Sequence, residues 1–445
     1  MKRLFLIRHA KSSWQDDSLS DRQRPLSERG EHQLTPLART LNSLNALSGT
    51  VFASPAVRAQ QTLEGLRTFL SKAKEVGTEP ELYTFDYRRL LHWLQSQPGT
   101  HQSLTVIGHN PALLELAAYL VPQAPFELPT AGIIEIRLPL KSWKKVGKNT
   151  GRLETFLAPR DFSYQEFLRK NRNAQPVETV NKSQAIPAAL LQLSTQLEKL
   201  TPGVTAGLDD EFLHQYRVAL RRSRAIAESI ADLSGDPSLT EHISELKRHA
   251  RATSPLRDLH VFLQDLPELC DNHPELLQPL TDWAGKKSRD GQRKLVRRLT
   301  QTRYQQSLTR WQDYLHSRHA RKLTSHLKAD DIHTAVEKRL KRFNRRTAEL
   351  LHTAPDDAFH RLRKELKRIR YLMELDSSHW KPALRQLRSR QDLYGRFQDL
   401  HVQATLIERF EADCPEARTR DLRKDIAERQ SDVRRQILSI GGLNV

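Results

Sequence analysis

The stretch His360–Leu375, HRLRKELKRIRYLMEL, reads as a helix with two different faces. His360, Arg363, Lys367 and Arg370 stand at offsets 0, 3, 7 and 10. On a helix turning about 100° per residue, those positions fall within roughly 80° of one another. Leu362, Leu366, Ile369 and Met373 form an apolar stripe beside them. The apolar stripe suits a core. The basic stripe sets like charges one turn apart, which costs energy unless something negative faces it.

The same arrangement stands 146 residues earlier. HQYRVALRRSRAIAESI begins at His214 and repeats the offsets with Arg217, Arg221 and Arg224, while Leu220, Ile226, Ala227 and Ile230 fall on the apolar side. Paired acids precede both copies, Asp209-Asp210 and Asp356-Asp357. Acids at that place suit a helix N-terminus. Each copy is followed by the same tripeptide, Asp258-Leu259-His260 and Asp399-Leu400-His401. Two matched features in one order indicate an internal duplication. The surrounding sequence is helical in pattern, broken by turn signals at Ser234–Ser238, Cys270–Glu275 and Thr353–Asp357. Its apolar stripes are too persistent for disorder, so paired helical bundles are expected.

Working outward, 445 residues are enough for two or three domains. The chain holds 72 Lys and Arg against 53 Asp and Glu, a formal net charge of +19. Residues 1–170 contribute 23 basic and 16 acidic residues and the remainder 49 and 37, so the excess is spread over both halves. The regular basic stripes, however, lie in the second. A field of this sign favours polyanions such as nucleic acid, polyphosphate or an acidic membrane; the bland alternative is a well-charged helical surface. Two distant cysteines, Cys270 and Cys414, give neither a disulfide framework nor a thiolate metal site. The N-terminal apolar run is too short for a signal peptide, and no stretch approaches the roughly 20 apolar residues of a membrane span. A soluble, cytoplasmic protein without a membrane partner is expected.

The first part alternates strands and helices. Leu4–Ile7, TVFASP and SLTVIGHNP read as buried strands, Ala131–Leu138 as a further one, and RLETFLAP as its returning partner. The pattern predicts a mixed or parallel sheet covered by helices. Residues 1–168 are assigned to this α/β domain, 169–187 to a polar linker and 188–440 to an all-α domain.

Three of these strands end in reactive side chains. The first ends in Arg8-His9, the second leads through Ser54-Pro55 to Arg58, and the third ends in Gly108-His109-Asn110. Ligands of open α/β sheets sit at the carboxyl ends of strands. Two histidines and two arginines converging there suit phosphoryl chemistry: arginine offers a fork of donors to phosphate oxygens, and a neutral histidine is a nucleophile. With these residues in view, LFLIRHAKSSW, RPLSERG, SPAVRAQQT and VIGHNP together resemble the histidine phosphatase superfamily, in particular its small phosphohistidine phosphatases of the SixA type. The resemblance covers about residues 1–165. It implies His9 as the phosphoryl-accepting nucleophile, Arg8 and Arg58 as phosphate ligands, and His109 as the residue completing the pocket. It also implies a reaction without metal or cofactor. Arg22 and Arg24 belong at the rim. The proton donor of larger relatives has no clear counterpart here; Glu81 and Asp86 in PELYTFDYRR are the candidates.

The second part resembles the CHAD family, the conserved-histidine α-helical domain, on LHQYRVALRRSRA, RDLHVFLQDL, FHRLRKELKRIRYLMEL and DLYGRFQDLHV. The resemblance implies two pseudo-symmetric helical bundles flanking a basic groove that binds inorganic polyphosphate. It carries over to His214, Arg217, Arg221, Arg222 and Arg224 in the first copy. In the second it carries over to His360, Arg363, Lys364, Lys367 and Arg370. Arg257, Asp258 and Asp399 are expected to hold groove residues through ion pairs. Nucleic acid is the second polyanion, disfavoured because aromatic interleaving is sparse. The expected whole is a phosphohydrolase that works through a phosphohistidine and is coupled to polyphosphate, with association to polyphosphate granules as an extension. Its substrate is a phosphorylated small molecule, a phosphohistidine protein or the polymer itself. The alternatives are a phosphohistidine phosphatase merely localised by its second domain, and a binding scaffold with an idle pocket.

Overall fold

The computed structural model describes residues 1–71, 73–171, 185–325 and 329–443. The chain divides into two compact units. Most of the expected linker, 172–184, lies outside the described residues, and Ala185 already opens the Ala185–Ala206 helix. Pro187 stands in its first turn, where a missing N–H costs no helical bond.

The first unit is built on a six-stranded sheet of order β3-β2-β4-β1-β5-β6. The strands are β1 (Lys2–Arg8), β2 (Thr50–Ala53), β3 (Glu75–Thr78), β4 (Ser103–Gly108), β5 (Ile133–Leu138) and β6 (Arg152–Leu157). The first four run parallel; β5 is antiparallel to β1, and β6 to β5. β1 shows why its run is continuously apolar: Leu4 and Leu6 enter the core on one face, Phe5 and Ile7 the core on the other. Such burial on both faces is the mark of a central strand. β3 escaped the sequence reading. It is an edge strand with mostly exposed side chains, so its sequence has no apolar alternation to betray it.

Register then sets the chemistry. Arg8 pairs with Gly108, and Ala53 with Ile107. The next residues of three strands, His9, His109 and Ser54, therefore emerge together. The loop after His9 is held by the RPLSERG segment. Ser27 caps the Glu28–Ser43 helix and also donates to the Lys11 carbonyl at 3.0 Å. A Cβ at Gly30 would run into that same carbonyl, so glycine is required there by close approach. Arg29 makes a two-pronged bond to Glu166 at 2.8 and 2.7 Å, tying the motif to the unit's last helix.

The second unit is helical. Its long helices include Asp210–Ser234, Leu239–Leu269, Pro274–Leu299, Ala329–Ala348, Asp356–Met373, Lys381–Asp413 and Arg420–Ile440. The three turn signals fall at breaks between helices. Both basic stripes lie on helices whose other faces are buried, through Leu220, Ile226 and Ile230 on the first and Leu362, Leu366, Ile369 and Met373 on the second. One contact recurs in both copies. His260 lies 3.2 Å from Asp210, and His401 lies 3.0 Å from Asp356. In each, the histidine of the Asp-Leu-His tripeptide meets the acid opening the stripe helix. Among the described residues, no helix is long and apolar enough to cross a membrane.

Candidate active site and basic cleft

His9 and His109 face one another with ring centroids 5.1 Å apart. Arg58, from the Val57–Glu64 helix, lies between them. Its Nε donates to His9 Nε2 at 3.1 Å, and its Nη2 reaches His109 Nδ1 at 3.3 Å. These bonds fix both tautomers. His9 Nδ1 is 2.7 Å from the Ala10 carbonyl, which only accepts, so the proton is on Nδ1 and the lone pair on Nε2. His109 receives Arg58 at Nδ1 and therefore donates from Nε2 to Ser54 Oγ at 2.7 Å.

Both imidazoles are neutral at ordinary pH. Burial, with lesser repulsion from His109, Arg58 and Arg8, pushes the His9 pKa down to about 3. Burial and then Arg58 do the same to His109. A neutral His9 with its lone pair on Nε2 is the form that can attack phosphorus. Arg8 is anchored by its Nη1 to the Leu128 carbonyl at 3.0 Å. Asn110 donates to the same oxygen at 2.9 Å, which fastens the segment around Leu128 to the pocket.

Several residues at this pocket went unassigned in the sequence. Ser54 stood within a motif. Asp21 and Tyr83 stood outside any. Asp21 accepts from Arg58 Nη2 at 2.8 Å and from the Tyr83 hydroxyl at 3.0 Å, and the Tyr83 ring meets His109 edge-on at 5.4 Å. Phe85 completes this wall, 5.8 Å from His109. Hence the Glu81–Asp86 segment does reach the pocket, but through its aromatic residues. Asp86 instead caps the Tyr87–Ser96 helix, accepting from the Arg88 N–H at 2.8 Å. Glu81 lines a neighbouring hollow with Tyr83, Arg88, Arg89 and His92. Neither carboxylate bonds to His9, Arg58 or His109. Arg22 stands at the rim over Tyr83 at 5.8 Å. Arg24 stacks on Trp14 at 3.5 Å and reaches Ser12, a loop-fastening role.

In the helical unit, His214, Arg217, Arg221, Arg363 and Lys367 line one cleft of about 390 Å³, with Arg257, Asp258 and Asp399. The two sequence copies thus meet in a single site. Arg217 is satisfied by the Ala250 carbonyl at 3.1 Å and by the Thr253 and Ser254 hydroxyls at 2.8 and 3.0 Å. Arg221, Arg363 and Lys367 have no hydrogen bond or ion pair with any described residue. Burial and the neighbouring Arg363 and Arg221 push Lys367 down to about 6, and burial and Arg221 push Arg217 down to about 10. Burial raises Asp258 and Asp399, against the pull of Arg217 and Arg363. Neither aspartate makes an ion pair with a described residue, which corrects the expectation that they clamp groove cations by direct contact.

The remaining stripe residues diverge. Arg222 pairs with Glu374 at 2.7 Å, Arg224 with Glu228 at 2.8 Å, and Arg370 with Glu374 at 2.6 Å. These three cations are already occupied and lie outside the residues lining the cleft. Lys364 is exposed. His360 packs against His401 at 4.6 Å with neither ring nitrogen bonded to a described residue, and burial lowers its pKa to about 4.

Comparison with known proteins agrees with this division. The model of the histidine phosphatase superfamily (branch 1) matches residues 4–102, and that of the CHAD domain matches 188–408. An uncharacterized chloroplastic protein of Arabidopsis thaliana is 31% identical over 171 residues, covering 36% of this chain and 78% of that protein. The crystal structure of the CHAD domain from the plant Ricinus communis is 21% identical, with a TM-score of 0.50, covering 61% of this chain and 98% of that one. The structure of the protein histidine phosphatase SixA complexed with tungstate is 26% identical, with a TM-score of 0.31, covering 35% of this chain and 97% of that one. The α/β unit with its two histidines and the helical unit with its duplicated stripe thus find separate counterparts, and the chain belongs to the histidine phosphatase superfamily as a phosphatase domain followed by a CHAD domain.

Proposed function

We propose that this phosphatase works through a phosphohistidine on His9 and is coupled to inorganic polyphosphate held by the helical unit. The observation that carries the chemistry is the tautomer of His9: Nδ1–H on the Ala10 carbonyl and the lone pair on Nε2, where it accepts from Arg58 Nε. In the first step Nε2 forms a bond to phosphorus while the bond to the leaving group breaks, and the leaving group departs with the electron pair. Charge on the phosphoryl oxygens is met by Arg8 and Arg58, while the neutral His109, its one N–H held by Ser54, closes the pocket beside them. The Ala10 carbonyl holds the Nδ1 proton as the ring becomes cationic. Water then attacks phosphorus, the N–P bond breaks, and His9 returns to its neutral form. Among the described residues, Asp21 is the carboxylate that bonds to Arg58 beside the two histidines, which favours substrates whose leaving group needs little protonation. Phosphohistidine and polyphosphate chains have that property.

The polyphosphate reading rests on Arg221, Arg363 and Lys367, three unpartnered basic side chains from two sequence copies sharing one cleft, with Lys367 taking up its proton as an anion binds. Such a group is costly without a bound anion. We read the two copies as related halves facing each other across that cleft; the repeated His–Asp contact supports it. The cleft takes a flexible polyanion without any reader of bases.

The deciding assay measures phosphate release by the full chain from polyphosphates of defined length and from phosphohistidine peptides, in excess chelator. Turnover of at least one class without metal is expected. Activity restored only by a stoichiometric protein-bound metal would overturn the mechanism. Turnover of the peptides alone would leave polyphosphate as a tether.

A further inference from the structure

Arg58 has five N–H donors. Nε is used by His9, Nη2 by both His109 and the Asp21 carboxylate, and Nη1 by the Asp21 backbone carbonyl. One N–H remains. A phosphoryl group bonded to His9 Nε2 must lie against Nε and Nη2, because those are the atoms facing the two histidines. A two-pronged grip on its oxygens therefore competes directly with Asp21. Two further contacts hold that carboxylate in place: the Tyr83 hydroxyl at 3.0 Å and Arg24 at 3.3 Å. It is nonetheless half-open to water, with 45% of the side chain exposed, so it has somewhere to go.

We infer that Asp21 is a resident anion of the phosphate subsite, occupying the Arg58 fork in the empty enzyme and yielding it to the incoming phosphoryl group. The inference deepens the phosphatase reading and rests on it. Its consequence is specificity. Free inorganic phosphate has only its own charge with which to displace the carboxylate, so product leaves readily. A substrate adds the binding of its remaining parts, along the wall of Tyr83 and Phe85. Asp21 takes the same penalty from both, and only the substrate has further contacts to offset it.

The test titrates inorganic phosphate into the full chain by calorimetry, comparing wild type with Asp21→Asn and Asp21→Ala. Both variants are expected to bind phosphate about tenfold tighter, since a charge-assisted competitor is lost. With a small aryl phosphate, product inhibition should tighten by the same factor and KM should fall, with no rise in kcat. Weaker phosphate binding in both variants would mean that Asp21 merely aims Arg58. Unchanged binding with lowered kcat would mean that it donates a proton. Either result overturns the inference. Calorimetry needs no turnover, so the two readings fail separately. A wild-type chain that binds phosphate but hydrolyses nothing overturns the phosphatase mechanism, whereas an active enzyme with unimproved variants overturns the resident anion.

Discussion

Arg58 in the α/β unit and Arg221 in the helical unit are both cations set among cations and histidines, yet their surroundings differ. Arg58 spends four of its five N–H donors on the protein, and the histidines beside it are driven neutral. Arg221 has no partner among the described residues, and the lysine facing it is pushed down to about 6. The pocket is organised before its ligand arrives, as catalysis requires. The cleft concentrates unpaired charge and leaves it to be neutralised, as binding a long polyanion allows. The same residue types do both jobs because Arg58, in the first turn of a short helix, meets two histidines fixed at strand ends, whereas Arg221 is one of a row along a long helix face.

The comparison breaks first, and by the largest factor, at His9. His9→Ala should lower turnover about a thousandfold or more, because the nucleophile is lost while the fold of the sheet is untouched. Rapid-quench mass spectrometry of the wild type should find an acid-labile phosphate on that residue. Ordinary turnover in the variant would remove the phosphohistidine mechanism. Polyphosphate affinity should not change in this variant, since the cleft belongs to the other unit.

A smaller effect is expected in the cleft, where no single atom is indispensable. Arg221→Glu or Lys367→Glu alone should weaken polyphosphate binding about tenfold, and the pair together about a hundredfold, with a shallower dependence on salt. Calorimetry of the full chain at two salt concentrations, against polyphosphate and duplex DNA, reads both. Equal affinity for the duplex would make the cleft a general polyanion site, and an unaffected double variant would make the stripes intramolecular structure.

The mildest prediction concerns Lys367 itself, which faces Arg363, Arg221, Asp399 and Arg217. The unfolded chain keeps the lysine proton up to about 10.5, whereas the folded cleft gives it up at about 6. Between those values the unfolded state binds the extra proton, so this group makes stability rise with pH. Lys367→Met should therefore raise the melting temperature at pH 7 by about 3 °C and flatten the rise toward pH 9. In the wild type, polyphosphate should bind more tightly as pH falls from 8 to 6, by up to about tenfold per unit for one linked proton. A melting temperature lowered by Lys367→Met would show that the ammonium is paired rather than strained.

The sequence itself determined more of the pocket than of the cleft. Arg8, His9, Arg58 and His109 each end or follow a strand, and a parallel sheet brings such ends together whatever the loops do. The apolar runs, the duplicated stripe and the turns at Ser234–Ser238, Cys270–Glu275 and Thr353–Asp357 were legible for the same reason: each is a local pattern with a local physical cause. Helical periodicity placed Arg217, Arg221 and Arg224 on one face, but could not tell which would remain unpaired. That depended on Glu228 four residues on, on the hydroxyls of Thr253 and Ser254 from the neighbouring helix, and on Arg363 and Lys367 from the other copy. Asp21, likewise, has no motif that marks it. It matters because a loop folds back over Arg58, and a charge's partner across such a distance in sequence is chosen only when the chain has packed.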